Sequence, residues 1–347
     1  MRKIQIAKPG GYEVLKMLEE PNLAASDNDV VIDVHNSGIN YADVIIRWGL
    51  YSSAKKYVGW PITPGFEYSG VVNSVGSKVS RFKVGDEVFG VTLFGGYSSQ
   101  VVAPQEYLYR KPKTWTFAQA AGAPAIFLTA YHALRQLVVL RKGSIILVHS
   151  AAGGVGTAVL QLSKIMGFRT VAVVGSQHKI ETAKRFGAEQ VIDKSSEDLW
   201  AKAKEYAPDG YDAVLDANGV STLKQSFKHL ASSGKLIIYG FHSMLPRKGG
   251  KIRLQHWLKL GLDVLKTPRF HPMQMVDGNR SIVSFNISYL WTRQDLLSEA
   301  MNEVTKWMDE GLVLPTTTKE YLADDVATAH ADLESGNTVG KLVLKWN

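Results

Sequence analysis

At 347 residues, 45% of them hydrophobic, the chain is long enough for two domains with cores of their own and has the composition of an ordinary globular protein. It contains no cysteine, which excludes disulfides, thiolate catalysis, iron–sulfur clusters and any cysteine-ligated zinc. A formal net charge of +8 would suit a nucleic acid or an anionic surface, so where that charge sits along the chain decides its meaning.

The first residues, MRKIQIAKPGG, carry charge with no long apolar run behind them, so they do not read as a secretory signal, and the expectation is a cytoplasmic protein. Up to about Ala123 the pattern is short strands, at residues 4–7, 30–35, 68–75, 87–91 and 97–103, punctuated by turns such as Pro64-Gly65 and Gly85-Asp86. The alternation of Val30, Ile32 and Val34 with Val31, Asp33 and His35 predicts a mixed β barrel, a domain separate from the central part of the chain. Residues 114–134 carry no charged side chain, yet Gly122 and Pro124 interrupt them, so they read as buried interdomain structure rather than a membrane span.

Residues 145–156, IILVHSAAGGVG, organise the rest. A β-branched apolar run, Ile145 to Val148, enters a turn in which Ala151, Gly153 and Gly156 keep the spacing of a dinucleotide-binding fingerprint, with alanine in place of the first glycine. The stretch Ala151, Gly153, Gly154, Val155 and Gly156 would bring backbone N–H groups and a helix N-terminus to a pyrophosphate. The helix shows in Val155, Ala158, Val159, Leu162 and Ile165, and a second apolar strand follows at residues 170–174. At its tip the fingerprint places a carboxylate for the ribose hydroxyls, but the residues are Gly175, Ser176, Gln177, His178 and Lys179. A glycine, a hydroxyl and a lysine accept the extra phosphate of NADP, which points to NADPH; the competing reading of Lys179 is a solvated first turn of the next helix.

Strands and helices then alternate to residue 240, predicting a parallel sheet with crossover helices. A helix over 295–310 follows, and a last strand at 340–344 is expected to return to the first domain. The predicted division is 1–123 for a β domain, 124–311 for a nucleotide domain and 312–347 for the return, with ligands expected in the cleft between domains.

Taken together, several motifs resemble a known family. Asn40-Tyr41-Ala42-Asp43 with Arg47-Trp48-Gly49-Leu50-Tyr51, Pro64-Gly65-Phe66-Glu67-Tyr68-Ser69-Gly70, Val84-Gly85-Asp86-Glu87-Val88, Leu128-Thr129-Ala130-Tyr131, the turn at 151–156 and Gly340-Lys341 are similar to the zinc-free quinone oxidoreductase branch of the medium-chain dehydrogenases/reductases. Within that branch, Asn279-Arg280, Phe285-Asn286-Ile287-Ser288-Tyr289-Leu290 and Asn337-Thr338-Val339-Gly340-Lys341 look most like the vesicle amine transport protein group. The resemblance implies a GroES-like β-barrel domain and a Rossmann doubly wound parallel sheet. Where the zinc enzymes of the superfamily carry ligands, this chain has Asn40 and Phe66, and neither makes a usable zinc site. No metal is expected.

Without a Lewis acid nothing stabilises the alkoxide of an alcohol, whereas a quinone or an enone needs only orientation, a hydrogen bond to the developing oxyanion and a proton. The resemblance places Asn40 and Asp43 at the nicotinamide and substrate, Tyr51 in the pocket and Thr129 at the nicotinamide end. Tyr51 stands open as proton donor or pocket wall, and Asp43 as site residue or mere support of its loop. Lys179 and Lys194 would meet the ribose phosphate, although relatives often have tyrosine at 194. Gly240, Phe241 and Asn337 resemble cofactor-lining positions. The function expected is NADPH-dependent reduction of a small hydrophobic quinone or enone. The competing expectation, a nucleotide-binding protein of lipid or membrane surfaces with little turnover, comes from residues 245–271, where seven basic residues face Asp263 alone, interleaved with Trp257, Leu258, Leu262 and Leu265. That segment reads either as a solvated lid or as an acidic-lipid surface, and nucleic acid lacks a recognition motif here. Residues 281–290, SIVSFNISYL, read as an exposed edge strand through which, by resemblance, a homodimer would form.

Overall fold

The computed structural model describes residues 1–244, 250 and 254–346. The described residues form two compact units, residues 1–128 with Gly250 and 288–346, and residues 129–244 with 254–287. The first boundary therefore lies at 128/129 rather than 123/124, and residues 288–311, assigned by sequence to the nucleotide domain, belong to the first unit.

In chain order the first unit begins with β1 (Arg2–Gln5), β2 (Lys16–Glu19) and the long β3 (Asp29–Ile39), then α1 (Tyr41–Arg47), α2 (Ser52–Tyr57), β4 (Glu67–Val75), β5 (Glu87–Val91), β6 (Gln100–Pro104) and β7 (Leu108–Arg110). Two short helices follow, α3 (Phe117–Ala121) and α4 (Pro124–Tyr131), the second crossing the boundary between units. Along one edge β3 pairs with β4; along the other its first half pairs with β6 and its second half with a strand from the end of the chain. Register shifts between Val31 and Ile32 and between Val34 and Asn36 are bulges, which bend a strand and let one strand serve three partners. The predicted alternation holds: Val30, Ile32 and Val34 enter the core with Ile4, Ile6, Tyr68, Val72 and Tyr97.

The second unit alternates as predicted: β8 (Ile145–Val148), α5 (Gly154–Ile165), β9 (Arg169–Val174), α6 (Ile180–Arg185), β10 (Gln190–Asp193), α7 (Leu199–Tyr206), β11 (Tyr211–Asp216), α8 (Leu223–Lys228) and β12 (Leu230–Ile238). Then come α9 (Leu254–Lys266), α10 (Pro272–Asp277) and β13 (Ser281–Ser284). All strands are parallel, in the order β10-β9-β8-β11-β12-β13. This is the doubly wound order, and it reverses between β8 and β11, where the crevice outside the strands' carboxyl ends receives ligands. Leu147, Val171, Val173, Val214 and Leu236 form the core.

The edge strand is shorter than the sequence suggests. The ladder closes with Phe285 N–H donating to Ile238 O, and Ile287–Leu290 is a 3-10 turn. Ser288 already belongs to the first unit, where its hydroxyl donates to Ser53 Oγ at 2.9 Å, so the chain leaves the sheet before Ile287 can extend it. The first unit is completed by α11 (Gln294–Asp309), β14 (Thr318–Leu322), α12 (Val326–Ser335) and β15 (Lys341–Lys345), with β15 antiparallel to β3.

Candidate functional site

In the second unit β8 delivers the chain to a turn whose backbone is fixed before α5 begins. Ser150 takes a left-handed φ of 54°, and its hydroxyl donates to Asn218 Oδ1 at 3.1 Å. Ala151 N–H donates to Val173 O on β9 at 3.1 Å, which ties the turn across the sheet. Gly153 is the N-cap of α5. Ala151 and Gly156 are buried, while Gly153, Gly154 and Val155 remain partly accessible. A Cβ on Gly156 would lie 2.5 Å from Ser150 O and 2.6 Å from Ala151 Cα, so only glycine lets the helix approach this closely.

The loop after β11, neighbouring across the switch point, is equally pinned. Asp216 Oδ1 accepts from Asn218 N and Gly219 N at 2.9 and 3.1 Å, and its Oδ2 from Thr222 and Ser226 hydroxyls at 2.7 and 2.8 Å. Burial makes the neighbouring His149 a weaker base, with Asp216 opposing. Ser150, Asp216 and Asn218 were missed by sequence reasoning; the usable signal was an acid ending the strand next to the fingerprint strand. Gly240 and the exposed Phe241 follow β12, and a Cβ on Gly219 would meet Phe241 Cδ1 at 2.7 Å.

At the tip of β9 the structure brings together residues that the sequence separates. Gly175 is exposed, and a Cβ there would meet only Lys194 Cε, at 3.7 Å. Lys194 N–H donates to Val174 O, which fixes its backbone beside the tip. Ser176 caps a 3-10 turn, Gln177–Lys179, that places half-buried Lys179 one turn on. Thr129 is half-buried on α4. Asn337 belongs to the first unit, on an exposed turn where its N–H donates to Ser335 Oγ.

The first unit holds the catalytic candidates. Asn40 has extended backbone and precedes α1, and its N–H donates to Asp43 Oδ2 at 2.8 Å, the reciprocal half of a capping box. Asp43 is fully buried and also accepts from Gly65 N at 2.9 Å and Tyr97 Oη at 3.1 Å. Burial pushes its carboxyl up to about 7 against those donors and Lys341. Of its two sequence readings, the geometry matches the support of a loop, because a carboxylate with no exposed surface and three internal donors has nothing to offer a ligand. Behind it Tyr97 Oη lies 3.2 Å from His330 Nε2, His330 Nδ1 lies 3.3 Å from an Arg47 nitrogen, and Arg47 pairs with Glu334 at 2.5 Å, all buried.

Asn40's side chain is clamped at both ends. Its Nδ2 donates to Glu67 Oε1 at 2.8 Å and its Oδ1 accepts from Lys341 Nζ at 2.6 Å. Lys341 also meets Glu67 Oε1 at 2.7 Å and donates to Ile39 O at 2.7 Å, while Glu67 Oε2 accepts from Ala125 N. The amide orientation is thereby fixed, and its second N–H remains to donate elsewhere. Tyr51 stands half-buried at the start of α2, edge-on to Phe66, its hydroxyl donating to Ser288 Oγ at 3.3 Å. Glu67 and Lys341 were legible only as members of motifs; their pairing was not.

Residues 26–113 match the family described as the alcohol dehydrogenase GroES-like domain, and residues 154–286 the one described as zinc-binding dehydrogenase. The chain is 32% identical over 344 residues to the synaptic vesicle membrane protein VAT-1 homolog of Danio rerio, spanning 99% of this chain and 69% of that protein. It is 28% identical over 350 residues to the quinone oxidoreductase of Mus musculus, spanning 99% and 97%. Among solved structures, Escherichia coli quinone oxidoreductase complexed with NADPH matches with a TM-score of 0.82 at 29% identity, covering 99% of this chain and all of that one. The second family's description implies zinc, but this chain does not fit the metal. A neutral amide and the phenylalanine at 66 stand where ligands would by resemblance, Asn40 Oδ1 already accepts from Lys341 Nζ, and the described residues hold no group of three His, Cys, Asp or Glu suited to a metal.

Proposed function

Since this chain belongs to the medium-chain dehydrogenase/reductase family, we propose that it is a zinc-independent oxidoreductase that uses NADPH to reduce a quinone or an α,β-unsaturated carbonyl. The observation that carries the reading is the clamped amide of Asn40: a preset, neutral N–H donor suits an oxygen that gains negative charge during reduction, and it cannot replace a metal in activating an alcohol. NADPH supplies the hydride when bound. The turn at 151–156 would hold its pyrophosphate, and Gly175, Ser176, Lys179 and Lys194 its ribose phosphate, with no carboxylate at the tip to repel it. Asn40 orients and polarises the acceptor's oxygen, and Tyr51 or water delivers the proton that completes the reduction. Two chains pair through the outer edge of β13, whose side away from β12 meets no other described strand and carries the N–H groups of Ile282 and Ser284.

The test is NADPH oxidation against a panel of quinones, enones and aldehydes, with and without a chelator. Turnover of the first two classes, indifferent to chelation and lowered about 10²-fold or more in kcat by Asn40→Ala, is expected. Failure in every class, with NADPH still bound, would leave a nucleotide-binding protein without this chemistry.

A further inference from the structure

The contact between Tyr51 and Ser288 continues, within the first unit, into an aromatic rim. Tyr51 is the N-cap of α2, a helix of 6 residues and so about 9 Å long, and Tyr57 closes its other end. Ser288 Oγ accepts from Tyr51 Oη at 3.3 Å and donates to Ser53 Oγ at 2.9 Å, which holds the turn after β13 against α2. The next residue, Tyr289, lies beside Tyr57, with ring centroids 6.0 Å apart. Tyr57 and Tyr289 are 37 and 38% exposed, so part of each ring is open to a ligand.

A cation is fixed on this rim. Lys56 Nζ lies 5.2 Å from the centroid of the Tyr57 ring and 5.3 Å from that of Tyr289, within cation–π range of both. Among the described residues it has no carboxylate partner, and α2, SSAKKY, contains no acid. Ring faces position an ammonium without neutralising it, so the group this position lacks is an anion. The rim is joined to Asn40 by a run of neighbours: Asn40 Nδ2 donates to Glu67, the adjacent Phe66 stands edge-on to Tyr51 at 6.0 Å between centroids, and Tyr51 leads along α2 to Lys56.

We infer that the acceptor is a planar aromatic quinone or enone with an anionic substituent at the end away from its reducible carbonyl, and that Lys56 binds that substituent while Tyr57 and Tyr289 flank the aromatic body. This deepens the reading of Asn40 as the oxygen's donor and rests on it. Charge and shape select the ligand class together. A neutral acceptor would meet the rings but leave the ammonium uncompensated, a small inorganic anion would satisfy Lys56 but leave the rings bare, and a cationic acceptor is repelled. Because the ammonium is already placed over the rings, little side-chain freedom is lost when the anion arrives.

Two matched pairs test it with the full chain: benzalacetone against its para-carboxylate, and naphthoquinone against naphthoquinone sulfonated on its benzenoid ring. NADPH oxidation gives kcat/KM for each, and calorimetry in the presence of NADP+ gives the affinity of benzylacetone, the saturated product, and of its para-carboxylate. The anionic member of each pair should be preferred about fivefold, the upper end for an exposed ion pair, mainly through KM and less so in high salt. Lys56→Gln should remove the preference in both readouts and Lys56→Glu should reverse it. Lys55→Gln makes the same charge change one residue along, at an exposed side chain, and should keep the preference. Turnover without a preference, a preference that survives Lys56→Gln, or one that Lys55→Gln removes equally overturns the inference and leaves the reductase reading standing. No turnover of either pair defeats the reductase reading, and calorimetry then decides the subsite alone: tighter binding of the carboxylate that Lys56→Gln abolishes retains it, and equal or absent binding removes it.

Discussion

Replacing Lys341 by methionine tests what holds Asn40. The ammonium spends its three N–H donors on Ile39 O, Asn40 Oδ1 and Glu67 Oε1, and both members of the ion pair are buried, 4 and 0% exposed. Methionine keeps the stem, fills similar volume and removes the charge, leaving the Glu67 carboxylate with only Asn40 Nδ2 and Ala125 N. Breaking a buried pair in this way costs about 3–5 kcal/mol, because the survivor stays desolvated without compensation. For a unit of this size that corresponds to a fall in melting temperature of roughly 6–20 °C. The double variant Lys341→Met/Glu67→Gln removes the stranded charge and should recover about 2–3 kcal/mol of that loss; with Glu67→Gln as the other single variant it closes a double-mutant cycle whose coupling energy is read by calorimetry or denaturant melts. The single variant should also lose kcat, since Oδ1 of Asn40 has lost its donor and the amide can rotate. A single variant that melts with wild type, or a coupling energy near zero, would refute the argument that this ion pair sets the amide.

Three further outcomes are expected. Gly175→Asp meets no steric obstacle beyond the flexible end of Lys194, so it should fold normally, weaken NADPH at least about tenfold and spare NADH; Lys179→Ala and Lys194→Ala should each narrow the preference of wild type, and titrations showing equal affinities for the two cofactors in wild type would defeat the assignment. Burial, with Arg47 adding to it, lowers His330 to about 3, so between the ordinary 6.5 and that value the unfolded chain binds a proton the folded chain refuses, and this group's own contribution falls by about 1.4 kcal/mol per pH unit on acidification. Asp43, raised to about 7, acts with the opposite sign: the folded chain takes the proton first, so its contribution favours folding as pH falls from 7 towards 4. The two slopes offset in wild type, and the deficit of His330→Gln relative to wild type should shrink by about that amount per pH unit from 6 to 4; a deficit independent of pH would contradict the assignment. Ser284→Pro removes an N–H that points away from β12, so a dimer joined along β13 should dissociate in sedimentation while the monomer keeps its melting temperature; wild type sedimenting at the mass of one chain would dispose of the edge-to-edge dimer.

The doubly wound sheet was legible because its signals are local: Ile145 to Val148, the small residues of the turn and the helical spacing after them sit in one short stretch. Asn40 and Asp43 were legible as types at a position but not as roles, since what separates a clamp from a ligand-facing carboxylate is burial, and Asp43's comes from Tyr97 and Gly65, distant in sequence. The Glu67–Lys341 pair was hidden for the same reason, being made by strands from opposite ends of the chain. Residues 281–290 misled because alternating apolar residues continue past Ser284, while the end of the strand is decided by Ser288 joining the other unit. Of the basic segment, Arg247, Lys248, Lys251 and Arg253 lie outside the described residues. The pattern of α9 revealed two faces without revealing which one meets the protein; packing decides it, with Lys259 donating to Ser243 O while Leu258 and Leu265 stay exposed.

The position of β15 has a consequence for synthesis on the ribosome. The segment that builds the nucleotide sheet, residues 129–287, leaves the exit tunnel with all its strands in hand while the first unit still lacks its last ones. Until residues 341–345 emerge, the second half of β3 has an open edge and Glu67 is a carboxylate without its cation. The dinucleotide half can therefore fold during translation, whereas the Asn40 site is assembled only afterwards, so the growing chain holds its cofactor fold before it holds its chemistry.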